Sequence, residues 1–465
     1  MDHEKGKRQN IRVTLIHSSS YTSILHRALA YIHQDRDVLL AALLDYCGFL
    51  HKAPRFFSIV PPLHASRKEL ERFHSPDYLD LLEYPHLHEP PLELLEQYGL
   101  TDDCPLPKGT SERKLLWSYI RHVAGASLQA AQLLASNQAD VAIHWGGGRH
   151  HAHKNRAGGF CFVNDVVLAI QSLQRKKINH RVLYVDIDIH HSDGVQTAFY
   201  DTNNVMNVSM HRHAPGFFPA HSGSMNEKGL FGTDGVGYTL NLPIPQGCKD
   251  VDFIAMFQYT MTELLKTYEP DTVVLCVGTD GLYGDPLVGP MDSWHLTPEG
   301  IAECVRITAQ TCSDTNRTKL LLLGAGGYHP ARAARTFLLC TAAACEGARP
   351  GMLWKELPKD MPRHDYFPRY GPDFLLVDKF PFMAETGSKY SKGGNYGNIL
   401  KESKKAVDLA ILYIQSQKDK EQLDFDFGVD PLWTDMVHQR LKDASVRVVT
   451  AKGRGRRRKC TSQRA

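Results

Sequence analysis

No CxxC pair occurs among the ten cysteines of this chain, which are scattered along it, so the paired spacing typical of thiolate zinc sites is missing. Several cysteines, Cys276 and Cys340 among them, sit inside apolar runs, where a reduced thiol packs as a small hydrophobe. Any metal is therefore expected on nitrogen and oxygen. Also missing is an apolar run of the roughly 18 residues that a membrane span needs, and the opening MDHEKGKRQN has no apolar stretch of the signal-peptide kind. These absences predict a chain that stays inside the cell and off the membrane. There are no internal repeats. Acid is missing from the last fifteen residues, AKGRGRRRKCTSQRA, which hold seven Lys or Arg; taking those from the net +3 leaves −4 on the preceding 450 residues. The basic character is thus a tail. KGRGRRRK reads as a disordered arm suited to an import receptor or to nucleic acid, with a merely solvated terminus as the alternative.

What is present is an ordinary globular composition, 42% hydrophobic and 23% charged, and one unusual stretch, VLYVDIDIHHSDG over 182–194. Its apolar, β-branched opening predicts a buried strand, which breaks into three acids and two imidazoles. If the strand runs on, alternation puts Asp186, Asp188 and His190 on one face and Val185, Ile187 and Ile189 on the other. Carboxylates stacked together repel when buried, and a divalent cation between carboxylate oxygen and imidazole nitrogen removes the conflict. The plainer alternative is a strand end fraying into solvent.

Along the chain, strands are expected over 11–17, 57–60, 139–145, 205–210, 272–277 and 319–323 besides the one starting at 182. SSSYTS over 18–23 reads as turn-rich, 84–110 as a Pro- and His-rich loop, and the segment up to Gly237 as a long loop. Helical spacing marks 37–50, 66–73, 77–82, 111–135, 164–174, 252–268, 298–311 and 331–345, with Asn164 and Thr297 as caps. Strands alternating with helices predict an α/β fold: a single large domain with a central, mainly parallel sheet covered by helices on both faces. That catalytic domain is expected over 1–380, an extension with a helix near 402–415 over 381–445, and the basic tail over 446–465. Four loaded segments, GGGRHH, DIDIHHSD, GTDG and GAGGYH, each follow an apolar strand, and open α/β sheets bind ligands beyond the carboxyl ends of their strands.

The chemistry follows from the residue types. Asp188 and His190 offer two ligands, and Asp280 a third from another strand end; three protein ligands with an open position suit a catalytic rather than a structural metal. The alternative for Asp280 is an Asx turn. His150 and His151 can take a proton from a metal-activated water and return it to a leaving group, with Asp186 and Asp193 available to orient them. Tyr328 after GAGG could polarise a carbonyl opposite the metal. Phe160, Phe217 and Phe218 sit in loops, where facing rings build a slot for a thin aliphatic stem such as the methylenes of lysine.

With these residues the sequence resembles the zinc-dependent histone deacetylases of class I, over roughly 10–375. The resemblance rests on FHSPDYL (73–79), DDCP (102–105), GGRHHA (147–152), GGFCFVND (158–165), YVDIDIHHSDG, PGFFP, GTDGLYGDP, GAGGY and MPRHDYFPRYGPDF (361–374). It implies the arginase/deacetylase fold and hydrolysis of acetyl-lysine in histone tails or other proteins. On matching positions it implies Zn²⁺, or Fe²⁺, on Asp188, His190 and Asp280; His151 as general base with Asp193; and His150 in support with Asp186. Tyr328 would stabilise the oxyanion, Gly159, Phe160 and Phe218 would line the channel, and Asp103 would hold the substrate backbone at its rim. It further implies a structural K⁺ at Asp186, Asp188, His190, Ser209 and Met210, a second at Phe199, Thr202, Val205 and Tyr238, and chromatin or corepressor partners; the basic tail makes a nuclear location the expectation, with the cytoplasm as the alternative. The chain departs from the pattern at Arg149, Ser192 and Thr279, and in the loop after Asp285, which is about four residues longer than usual. Pro286 and Ala331 replace two arginines that corepressor-bound members use with inositol phosphate, so catalysis is expected without that activator. Two other readings share these residues: a deacetylase of acetylpolyamines on the same scaffold, and a catalytically silent chromatin scaffold.

Overall fold

The computed structural model describes residues 11–51, 57–83, 90–175, 177, 179–289, 292–315, 317–351, 357–376 and 396–427. Eight short strands form one sheet: β1 (Val13–Ile16), β2 (Phe57–Val60), β3 (Val141–His144), β4 (Val182–Asp186), β5 (Val205–His211), β6 (Thr239–Pro243), β7 (Thr272–Val277) and β8 (Lys319–Gly324). All neighbours pair in parallel, in the order β2-β1-β3-β8-β7-β4-β5-β6. Every residue of β3, β4, β5, β6 and β7 is buried, as a sheet covered on both faces requires. One helical layer centres on Thr110–Ala135 with Asp165–Gln174, the other on Pro298–Asp314 with Pro330–Ala348, and both layers reach the central strands β3 and β8. The expected α/β architecture is the one observed.

The topology explains where a site can form. After β3 the chain skips two strand positions before laying down β4, β5 and β6, and only later do β7 and β8 fill the gap. The carboxyl ends of β3, β8, β7 and β4 therefore stand side by side at the centre of the sheet. Such a reversal of strand order opens a crevice at that edge.

Local chemistry sets the element ends. Asn164 accepts the N–H of Val167 at 3.0 Å, and Thr297 that of Gly300 at 3.1 Å, capping their helices. SSSYTS is not a turn but a helix start: Ser18 accepts the N–H of Tyr21 and caps Ser19–Ala28, serine serving turns and N-caps by the same hydrogen bond. A short helix, Leu92–Gln97, lies inside the expected loop over 84–110. It buries no residue, so hydrophobic periodicity could not reveal it. β6 lies outside the expected strands, although its alternation of Thr239 and Asn241 with leucines is a strand pattern. The strand from 182 stops at Asp186, whose carboxylate accepts the N–H of Asp188 at 2.9 Å and turns the chain; the expected common face for Asp186, Asp188 and His190 does not exist.

By its contacts the chain divides into two units, Met1–Ala410 and Ile411–Ala465. The helix Tyr396–Phe427 contains the expected helical segment over 402–415. Within the first unit, Ser403 donates to the carbonyl of Pro243 at 3.0 Å and Tyr259 donates its hydroxyl to Asp408, which sets this helix start beside the edge strand β6. The boundaries expected at 380 and 446, and the basic tail, lie outside the described residues. Among the described residues no helix is long and apolar enough to cross a membrane.

Candidate active site

The loops leaving β4 and β7 bring Asp188, His190 and Asp280 together, their ligand atoms all within 4.8 Å of one another. His190 Nδ1 lies 3.0 Å from Asp188 Oδ1 and 3.1 Å from Asp280 Oδ2. Backbone N–H groups fix both carboxylates, Gly326 donating to Asp188 at 2.8 Å and Ile189 to Asp280 at 3.2 Å. Burial, and then the charge of Asp188, pushes the Asp280 carboxyl up; Asp188 is held down against its burial by His150 and His190. Two buried carboxylates and one imidazole are a donor set of hard oxygen and borderline nitrogen, which fits a divalent cation such as Zn²⁺. Cys276 also lies near His150 and Asp186. Burial, then Asp186, drives its thiol far up, and it donates to the carbonyl of Gly324 at 3.2 Å.

His150 and His151 leave β3 side by side, ring centroids 4.0 Å apart. His150 Nδ1 is 2.6 Å from Asp186 Oδ2, and the Tyr184 hydroxyl donates to the same oxygen. His151 Nδ1 is 2.8 Å from Asp193 Oδ1, while His153 Nε2 reaches the other oxygen at 3.2 Å. Burial opposes charge on both rings. At His150 the carboxylates of Asp186 and Asp188 outweigh it and hold the ring at about 9. At His151 burial, reinforced by His150, wins over Asp193 and brings the ring down to about 4.

Tyr328 follows β8, its N–H donated to Asp285 at 2.8 Å and its ring flanked by His33 at 6.0 Å and Phe160 at 5.7 Å. Burial first, then Asp280 and Asp188, raises its phenol far above 10, so the hydroxyl keeps its proton. Phe218 stands edge-on to His151 at 4.9 Å, and Phe217 lies parallel to His190 at 5.3 Å. Gly159, at φ +54°, is the only residue type that fits: a Cβ there would stand 2.3 Å from the His151 ring. Its N–H donates to Asp103. Asp103, His151, Asp193 and Phe218 all line one cleft of about 890 Å³, a volume in the range of ligand pockets.

The remaining expected residues fall in two places along β5, Ser209 and Met210 beside Asp186, and Val205, opposite Val182, with the others at the start of the strand. Ser209 faces Asp186 across the β4–β5 pair, with Met210 next to it. Thr202 donates to the carbonyl of Phe199 at 3.5 Å, Val205 begins β5, and the carbonyl of Tyr238 accepts from Asn207 at 2.9 Å. Sequence reasoning missed Asp165, which accepts the N–H groups of Gly148 and Arg149 at 3.0 and 2.7 Å and so fixes the loop that carries both imidazoles. Behind it, Tyr21 bonds His144 at 2.6 Å, His144 bonds Ser127 at 2.8 Å, and Ser127 donates to Asp165 at 2.5 Å. In sequence Asp165 is an ordinary first-turn acid. Arg149 is buried among His33 Nε2 (3.2 Å) and the carbonyl of Gly146 (3.0 Å), and Arg36 holds the carbonyls of Ala325 and Gly327.

The model of the histone deacetylase domain matches residues 10–344. Over 368 residues the chain is 36% identical to histone deacetylase 8 of Xenopus tropicalis, covering 78% of this chain and 89% of the relative. It is 38% identical over 337 residues to histone deacetylase 2 of Oryza sativa subsp. japonica (72% and 60%), and 36% over 324 residues to histone deacetylase 1 of Homo sapiens (69% and 61%). Agreement of this extent, across the residues that build the sheet and its loaded edge, makes the chain a class I member of the histone deacetylase family and so a lysine deacetylase.

Proposed function

We propose that the chain hydrolyses the side-chain amide of acetyl-lysine in histone tails or other proteins, with Asp188, His190 and Asp280 holding one Zn²⁺, or Fe²⁺ in its place. When bound, that ion supplies Lewis-acid polarisation of the acyl carbonyl and lowers the pKa of a water beside it. His151, neutral at physiological pH, accepts the water's proton while Asp193 fixes its Nδ1, and returns it to the departing amine. His150, kept charged by Asp186, favours the negative charge that develops beside it. Tyr328, kept protonated, donates to the carbonyl oxygen as it becomes an oxyanion. Phe160 and Phe218 flank the methylenes of the lysine, Gly159 lets that wall approach His151, and Asp103 meets the substrate backbone at the rim. The carbonyl- and hydroxyl-rich surroundings of Asp186, Asp188, His190, Ser209 and Met210, and of Phe199, Thr202, Val205 and Tyr238, suit two K⁺ ions. The basic tail fits nuclear import, and chromatin or corepressor partners would act there.

The observation that carries the reading is the pair of adjacent imidazoles, each held through Nδ1 by its own carboxylate at 2.6 and 2.8 Å, beside a three-ligand cluster, since unlike environments separate acid and base roles. The test is turnover of an acetyl-lysine peptide by the purified chain, with and without chelator, beside His151→Ala. Activity that the chelator abolishes and that falls at least ~100-fold in the variant is expected. Turnover indifferent to chelator, or a fully active His151→Ala, overturns the reading.

A further inference from the structure

Arg212, the residue after β5, ties together three segments around the channel. Its N–H donates to the carbonyl of Ile189 at 2.8 Å, directly before His190. Its Nη2 lies 3.2 Å from Asp292 Oδ1, in the loop that is longer than the family pattern. Its guanidinium carbon stands 5.9 Å from the centroid of Phe217, whose ring lies at 11° to that of His190, centroids 5.3 Å apart. Asp292, Arg212, Phe217 and His190 thus form one line of contact from the outer loop to the metal cluster.

Phe217 belongs to an irregular loop and is only half-buried, so core packing does not fix its ring. The groups packed against the ring, Arg212 and His190, set its orientation. A planar guanidinium can stack on a ring while pairing a carboxylate at its edge, which a lysine ammonium cannot do at once. Arg212 is therefore the group that passes the position of Asp292 to the ring of Phe217. Phe217 adjoins Phe218, which lines the cleft, and both rings pack on His190; a ring held flat there keeps this side of the channel narrow, and a ring free to swing out leaves room for a longer acyl chain.

We propose that Arg212 is a positioning residue which, gripped by Asp292, holds Phe217 against His190 and restricts the channel to short acyl groups. The inference rests on the deacylase reading, and its test separates the two. Zinc-loaded wild type, Arg212→Met, Arg212→Lys and Asp292→Asn are compared on acetyl- and butyryl-lysine peptides of one sequence. In parallel, NMR records the ring-current displacement of the His190 imidazole protons by Phe217. In Arg212→Met the ratio of kcat/KM for butyryl over acetyl is expected to rise at least fivefold, chiefly through a lower KM for butyryl, with the His190 displacement lost. Asp292→Asn moves both readouts the same way by less, and Arg212→Lys falls between Met and wild type. An unchanged ratio, or an equal fall in kcat on both substrates with a lowered melting temperature, overturns the proposal. If wild type turns over neither peptide, the deacylase reading fails, and the ring displacement alone then decides whether Arg212 holds Phe217.

Discussion

His150 and His151 differ by one position and share almost the same burial, yet one is held at about 9 and the other at about 4. The difference lies in their partners. Asp186 sits 2.6 Å from His150 with Asp188 close behind, whereas Asp193 divides its oxygens between His151 and His153. Tyr328 completes the set as a donor that cannot lose its proton, because burial and the neighbouring carboxylates all oppose the phenolate. Removing only that hydroxyl tests the role cleanly. Tyr328→Phe keeps the ring between His33 and Phe160, so melting temperature and KM should stay close to wild type. Loss of one oxyanion donor is worth ~100- to 1,000-fold in kcat, and steady-state kinetics on an acetyl-lysine peptide should show a fall of that order. A variant with wild-type kcat would remove Tyr328 from the chemistry.

At the scale of elements, the loop after β8 is shaped by what it has to pass. A Cβ on Gly326 would stand 2.2 Å from Asp280 Oδ2 and 2.8 Å from Asp188 Oδ2, in the middle of the cluster. Gly326→Ala should therefore displace a carboxylate and weaken metal binding by ~10- to 100-fold, the usual scale for disturbing the surroundings of a ligand. Competition with a chromogenic chelator reads this directly; unchanged affinity would mean that Asp188 and Asp280 do not share an ion. This much of the site was legible in sequence, since Asp188, His190, Asp280 and Tyr328 each follow an apolar run by a few residues, and the sheet carries those ends to one edge. The mechanism of their convergence was not legible. Alternation along a continued strand was the wrong geometry, because Asp186 captures the N–H of Asp188 and ends the strand there. Ser127 and Asp165, or Arg212 and Asp292, are brought together by the fold across 38 and 80 positions. No local pattern marks such pairs, and the hydrogen bond that makes Ser18 a helix cap is the same one that makes serine a turn residue.

At the scale of the molecule, neutral histidines are built into the core that supports the site, and they set its response to acid. His74 accepts the N–H of Asn164 at 2.9 Å, and Asn164 in turn donates to the carbonyls of His150 and Ala152. His144 links Tyr21 to Ser127. Burial brings both rings down to about 3. Each is thus depressed from the ~6.5 of an unfolded chain, so below that pH the unfolded state binds more protons than the folded one. Stability from these rings is complete above about 6.5 and drains away as the pH falls toward about 3, by ~1.4 kcal/mol per pH unit for each ring. His74→Gln isolates one of them, because the amide oxygen can still accept from Asn164 but does not titrate. Groups common to both proteins, the metal ligands included, cancel in the comparison. The urea midpoint of wild type should drop more between pH 6 and pH 4 than that of the variant, even where the variant is the less stable protein at pH 7. Equal drops would mean that His74 is already protonated in the folded chain, or that Asn164 and the loop it holds are bound by something other than a neutral imidazole.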